Sequence, residues 1–466
     1  MFTQIVQYFY PDMKKEEIKK FGILALTFFF TIGAYWAIRL LKDVIFFKLA
    51  FPAELGWHPE QGRLFQPLAK MLSVGVVICF VLIYSKLVDL FEKHKLFYII
   101  CTFYTAIFVS VAGALYVQSL PQYGSAFLGK NLLAGLGWVS YFAIESFGSI
   151  VVALFWSFCA SVVTSDAAKR GYPFIIMFGQ VGAIIGAGMT MYIDTYAMLA
   201  LATFSVVAIM FAIKYFMALP AQERIGNREA HATEKVKEGF FEGFFSGLRL
   251  LFTRTYLLGI LAVSTLYEVI NTIVDYQMKS QASLHPVYGT TKGFQQFLAI
   301  YGLATNGLAF FMALLGTRYI IKKYGLTVAL LFFPVCLGIA LIVLYGYFAG
   351  WIMAKPNATQ LLWGTFGVMM LAKGLSYAVS NPTKEMMYIP TSKDAKFKSK
   401  GWIDMFGGRS AKALGAKISD PFKAHLADLM VYGTVIGLGL VGVWFLAALY
   451  VGRKNAQLTR DGKIIE

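Results

Sequence analysis

Apolar residues come in long blocks along this chain. They do not alternate as in a half-buried strand, nor form the narrow stripe of a surface helix. Blocks cover about 21–46, 69–91, 96–118, 133–163, 172–194, 196–217, 255–278, 297–320, 326–348, 359–381 and 431–452. Each has roughly the twenty residues a helix needs to cross the hydrocarbon core of a bilayer. Unpaired backbone is too costly in lipid for irregular structure to span it, and no segment alternates like a barrel strand. The pattern predicts an all-α polytopic membrane protein with eleven clear spans. The stretch "GWIDMFGGRSAKALGAKISDPFKAHLADLM", Gly401 to Met430, is weakly apolar and rich in Gly and Ala. It leaves room for a twelfth, polar-faced helix shielded by its neighbours.

Loop charges bear on the count. With the N-terminus cytoplasmic and twelve spans, the inside segments gather Lys14, Lys15, Lys19 and Lys20, the cluster from Arg224 to Arg254, Lys393 to Lys400, and Arg453 and Lys454. The outside loops keep scattered cations such as Arg63, Lys130, Lys292 and Lys355. This is the positive-inside bias, and eleven spans would put the C-terminal cations on the wrong side. The parity therefore favours twelve, with both termini cytoplasmic. The longest polar segment lies near mid-chain. It divides an N-terminal six-helix half (1–219) from a C-terminal six-helix half (255–466), with 220–254 as a cytoplasmic linker. Two six-helix halves are major-facilitator-like, a layout that places substrate at the midplane between the halves.

Composition agrees. The 466 residues are 58% hydrophobic and 14% charged, with a mean hydropathy of +0.63, against about 25% charged in soluble domains. The net charge of +17 lies partly in the inside loops, and no nucleic-acid module is visible. The first twenty residues, "MFTQIVQYFYPDMKKEEIKK", read as an amphipathic lead-in on the membrane surface. They fit neither a cleavable signal nor a transit peptide, which favours a bacterial inner membrane over a plastid. Cys79, Cys101, Cys159 and Cys336 all lie within apolar runs, so neither a disulfide framework nor a metal site is expected. The five histidines show no HExxH spacing. "GGRSAKALGAK" lacks the Walker A spacing. No enzyme and no cofactor are expected.

Charges inside the blocks carry the chemistry, because each costs about 2.5–3.5 kcal/mol at mid-bilayer. In "GAYWAIRLLKDVIFF", Tyr35, Arg39, Lys42 and Phe46 share one helical face. Snorkelling of the two cations towards headgroups is an equal reading from this stretch alone. Glu145 is too short to snorkel from the middle of "VSYFAIESFGSIVVALFW". Either it serves the substrate or it is a buried structural acid. Ser264, Glu268, Asn271, Asp275 and Lys279 form a polar stripe on an otherwise apolar helix. Lys373, Tyr377, Ser380 or Asn381, and Lys384 share a face of "LAKGLSYAVSNPTKEMMYIP", where Pro382 removes a helical hydrogen bond and kinks the chain. Lys384 and Glu385 also read as a helix end meeting the cytoplasm. These charges fall in the first, fourth, seventh and tenth spans, equivalent positions in two six-helix halves. Lys and Arg bind phosphate well, so the set suits a polyanionic substrate.

"NPTKEMMYIP", Asn381 to Pro390, followed by "KSKGWIDMFGGRSAKALGA", Lys398 to Ala416, resembles the signature of the ATP/ADP translocases of plastids and intracellular bacteria. "IRLLKDVIFF" and "ESFGSIVVALFWSF" are similar to that family's first- and fourth-helix motifs. The resemblance runs in order over nearly the whole chain. It implies twelve spans and a non-enzymatic nucleotide carrier with ATP and ADP as substrates. It also implies four central charges: Lys42, Glu145, Glu268 and Lys384. Asn381 stands where the pattern has Asp, and Leu40 or Leu41 where the first-helix motif has its first Asp. These departures leave the nucleotide and the coupling mode open.

The expected function is exchange of ATP for ADP, with or without phosphate, across a bacterial inner membrane by alternating access in a monomer. Arg39, Lys42 and Lys384 are expected to hold the phosphates. Glu145 and Glu268 would offset those charges when the site is empty. Tyr35, Tyr141 or Tyr377 would stack on the base, and Asn271, Asp275 and Asn381 complete the substrate-binding set. The alternative is a proton-coupled importer of nucleotides or a related phosphorylated substrate, with Glu268 or Asp275 carrying the proton.

Overall fold

A computed structural model of the chain describes residues 13–219, 248–315, 318–351 and 356–465. Most of the expected lead-in (residues 1–12) and most of the expected linker (220–247) lie outside the described residues. The helices are α1 Lys15–Val44, α2 Gln61–Leu90, α3 Lys93–Ser119, α4 Lys130–Val162, α5 Ser165–Met189, α6 Thr195–Met217, α7 Thr255–Leu284, α8 Thr291–Leu315, α9 Arg318–Phe348, α10 Ala358–Leu375, α11 Asn381–Met387, α12 Lys393–Trp402, α13 Gly408–Ser419 and α14 Leu426–Arg460. Among the described residues, α1 to α7, α9 and α14 are the nine long and apolar enough to cross a membrane. With α8, the α10–α11 run and the α12–α13 run, the described residues hold twelve long helical runs. The protein is an all-helical multi-pass membrane protein.

Local chemistry sets several boundaries. The Thr164 hydroxyl accepts from Ala167 N–H at 3.3 Å and caps α5. Asn357 and Gln360 form a reciprocal cap on α10, both contacts 2.9 Å. Ser392 caps α12, accepting from Ala395 N–H at 3.2 Å. The twelfth run therefore starts at Lys393, eight residues before the weakly apolar stretch that suggested it. Hydropathy reads the lysines of "KDAKFKSK" as loop, whereas the cap and the packing of Ala395 and Ser399 make them the first turns of a helix.

Three π-helical turns interrupt the runs: Ile45–Leu49 after α1, Ser376–Ser380 between α10 and α11, and Ile403–Gly407 between α12 and α13. Pro382 lies in the first turn of α11. There its missing N–H is tolerated, and the π-turn Ser376–Ser380 lies directly before it.

Packing divides the chain into two units. One comprises Met1–Gly62, Gly75–Lys235 and Thr290–Asn306; the other Arg63–Val74, Val236–Gly289 and Gly307–Glu466. In the first, α1 runs along α4, α5 and α6. Its core is aromatic, with Phe28 stacked on Phe155 at 4.6 Å and Phe21, Phe108 and Phe147 fully buried. Gly179, Gly182 and Gly186 of "GQVGAIIGAG" face α1. A Cβ on Gly182 would strike the Phe29 carbonyl, and one on Gly186 the Gly33 carbonyl. Small residues give this close backbone approach, which lipid does not otherwise drive. The start of α8 is tied into this unit by Gln295, whose amide donates to the Thr190 and Ile193 carbonyls at 2.6 Å each. In the second unit, α7 packs on α10, α13 and α14. Gln277 donates to the Leu429 carbonyl at 2.8 Å, and Tyr256 O–H to the Met387 carbonyl at 2.7 Å.

Gly186→Val is expected to cost about 1–3 kcal/mol by overpacking the α1–α5 contact. Gly135→Ala, where an added Cβ meets open space, is expected to be neutral. Thermal unfolding of the purified protein in detergent compares the two.

Candidate substrate site

The first unit builds its charged cluster on α1 and α4. Lys42 is 4% exposed and its Nζ lies 2.5 Å from Glu145 Oε1. The same Nζ sits 3.9 Å from Asp43 Oδ1 and 4.4 Å from the centre of the Tyr141 ring. Tyr141 is fully buried and packs on Phe46, 4.9 Å between ring centres. The ammonium is thus held between two carboxylates and a π face, the combination that makes a buried cation tolerable. Arg39, one turn earlier, takes a different environment. Its Nη1 donates to Tyr35 Oη at 3.4 Å, and its guanidinium carbon lies 4.9 Å from the Trp36 ring centre. Tyr35 lies against Gly148 of α4, where a Cβ would collide with its ring. The shared face read from the sequence is real: on it Lys42 meets Glu145 and Arg39 meets Tyr35.

The second unit builds its cluster on α7, α11, α12 and α13. Glu268, near the middle of α7, has Oε2 3.8 Å from Lys412 Nζ on α13. Lys384 on α11 is partly buried and within electrostatic range of Glu268, Asp404 and Lys412. Glu385 points elsewhere and pairs with Lys400. The stripe on α7 is inward: Ser264, Asn271 and Lys279 are all buried. At its far end Asp275 Oδ2 accepts from Lys279 Nζ at 2.6 Å. Asn271 Oδ1 accepts from Tyr267 O–H at 3.5 Å, and Lys373 lies 5.9 Å from that tyrosine's ring centre. Tyr377 sits partly buried on the Ser376–Ser380 turn. Asn381 opens α11, but its side chain lies outside the described residues.

Each π-turn adjoins these charges. One follows Lys42 and Asp43, one precedes Lys384, and one contains Asp404 and precedes Lys412. Such turns often mark functional positions, because they re-aim side chains that a regular helix would point elsewhere.

A profile of the TLC ATP/ADP transporter family matches residues 1–454. The chain belongs to that family. The transporter is 28% identical to ADP,ATP carrier protein 2, chloroplastic, of Arabidopsis thaliana, over 92% of this chain and 74% of that one. It is 23% identical to ADP,ATP carrier protein 1 of Chlamydia pneumoniae, over 96% and 93%, and to ADP,ATP carrier protein 5 of Rickettsia felis, over 85% of each. Solved structures share the fold. The nucleoside transporter NupG superposes with a TM-score of 0.60 at 13% identity, covering 92% of this chain and 98% of its own. A D-xylose–proton symporter gives 0.61 at 13% identity, covering 92% and 96%. The transporter therefore has the major-facilitator-like fold expected from its two sets of spans.

Of the four charges singled out by the motifs, Lys42 meets Glu145 directly, and Glu268 lies within electrostatic range of Lys384. The site set read from the sequence did not include Asp43, Asp404 or Lys412. Asp43 adjoins Lys42 in the first-helix motif, and its burial at 3% exposure follows from the helix continuing into a π-turn. Asp404 and Lys412 belong to the run whose helical path hydropathy obscured.

Lys42→Met leaves Glu145 without its nearest cation and is expected to destabilise the protein by about 3–5 kcal/mol. Lys42→Met with Glu145→Gln is expected to recover most of that stability but no uptake. Thermal unfolding and uptake, measured on the same variants, separate the pair's structural role from its transport role.

Proposed function

We propose that this transporter exchanges ATP for ADP by alternating access. We place it in a bacterial inner membrane, as a monomer with both termini cytoplasmic. Family membership supports a nucleotide carrier, and the distribution of loop cations supports the orientation. The observation that carries the reading is the Lys42–Glu145 pair. Its side chains are 5% and 19% exposed, so water screens them little. A cation kept this far from water costs more than packing requires, and it suits a substrate that arrives as an anion. Arg39, Lys42 and Lys384 bind phosphate oxygens. Glu145 and Glu268 hold cations in the empty state and yield them to the nucleotide. Tyr35, beside Arg39, is the aromatic best placed to meet a base. Loading therefore replaces internal ion pairs by substrate contacts, a differential interaction of the kind that biases a carrier between states. No hydrolysis is involved.

Uptake of labelled ATP into bacteria expressing the protein tests the reading, with and without internal ADP and with and without an uncoupler. Stimulation by internal ADP that survives the uncoupler supports exchange. Uptake that collapses with the uncoupler replaces it by proton-driven import. Absence of any nucleotide uptake overturns the assignment of substrate. Lys384→Ala is expected to abolish uptake at normal expression, and a wild-type rate in that variant would remove Lys384 from the site.

A further inference from the structure

Other parts of the second unit hold the link between α11 and α12. Helix α11 has seven residues and carries Lys384 one turn before its end. A π-turn parts it from α10, so few bonds of its own fix its direction. The last carbonyls of a helix have no partner within it. Here the Met387 carbonyl accepts from Tyr256 O–H of α7 at 2.7 Å. Tyr256 Oη in turn accepts from Asn455 Nδ2 of α14 at 2.7 Å. Tyr256, Met387 and Asn455 are all buried, and the asparagine's donation leaves the hydroxyl proton for Met387. The second hold follows α14. Gly462 has a φ of 61°, and Lys463 N–H donates to the Leu458 carbonyl at 3.0 Å. This glycine-centred cap turns the chain back. It lays Ile465 beside Thr391 as a parallel β-bridge. Ile465 N–H donates to the Pro390 carbonyl at 3.0 Å, and Ser392 N–H to the Ile465 carbonyl at 2.8 Å. Backbone groups of a link between two helices need such partners.

Resting on the nucleotide-exchange reading, we infer that Tyr256 and the strap of residues 462–465 position the substrate's phosphates by acting through Lys384. The π-turn gives α11 latitude at its start, and the two holds remove it at its end. Lys384 lies three residues before Met387, within one helical turn. An end fixed at Met387 and Pro390 therefore fixes the direction from which the Lys384 ammonium meets a phosphate. A lysine already in place loses less freedom on binding than one on a swinging helix. Both strap contacts are made by the main chain, so the Ile465 side chain is not needed for them.

The test is the kinetics of labelled ATP uptake by bacteria expressing the full chain, with hydrogen exchange on the purified protein. A merely structural loss leaves fewer active copies, so the maximal rate falls and KM stays. Loss of positioning raises KM and keeps the maximal rate per copy. Tyr256→Phe deletes only the hydroxyl, and Ile465→Pro deletes the donor to Pro390. Each is expected to raise KM about fivefold, the scale of one neutral hydrogen bond. Ile465→Ala keeps both strap bonds and is expected to match wild type. Ile465→Pro is also expected to speed hydrogen exchange at the Ser392 amide. Unchanged KM in Tyr256→Phe and Ile465→Pro overturns the inference, and so does a lower maximal rate at unchanged KM. Equal effects of Ile465→Ala and Ile465→Pro, or unaltered exchange at Ser392, overturn the strap's part in it. Wild-type protein that takes up neither ATP nor ADP overturns the functional reading, and this inference with it.

Discussion

A charge placed where water cannot reach it must be met by an opposite charge or by polarised groups, and the cost of failing to do so exceeds most other terms in the fold. Lys42 is the clearest case. It is met by Glu145 from α4, by Asp43 from its own helix and by the face of Tyr141. To bring them together, α1 must pass close to α4, and α1 is also the helix on which α5 and α6 pack. The glycines at 182 and 186 let α5 sit against the backbone of α1. The arrangement of the first unit thus centres on a helix whose C-terminal turn carries a buried cation.

The second unit meets the same constraint differently. Its acid, Glu268, lies at mid-helix, and its cations come from α11 and α13, short helices joined to their neighbours by π-turns. A regular helix would fix each lysine at one angle along its axis. A widened turn shifts that angle at the expense of some local hydrogen bonding. The first unit keeps a tight contact of 2.5 Å on long, continuous helices. The second keeps a longer one of 3.8 Å on interrupted ones.

Several of the candidate residues, and their neighbours, have partners of their own. Asp275 and Lys279 are one turn apart on α7 and bond each other at 2.6 Å. Glu385, next to Lys384 in sequence, pairs with Lys400 instead. Tyr141 is occupied under Lys42, whereas Tyr35 stands with Arg39 at the edge of the first cluster.

Much of this protein was legible in its sequence. Block length alone required helices, because lipid offers the backbone no other partner. The cost of intramembrane charge pointed to the first, fourth, seventh and tenth spans before any contact was known, and the resemblance to the family's motifs singled out Lys42, Glu145, Glu268 and Lys384 within them. Motif order pointed to the family. What helical periodicity supplies, however, is which residues share a face of one helix, not which helix that face meets. Only the tertiary structure decided that Lys42 takes Glu145, 103 residues away. It alone decided that Glu268 reaches Lys412. It also decided that the twelfth run begins at Lys393, because Ser392 caps a helix whose lysines look like loop to any hydropathy window. Local propensity and hydrophobic length are written along the chain one residue after another. Charge pairing depends on distances of a few ångströms between residues about a hundred or more apart, and those exist only after the helices have packed.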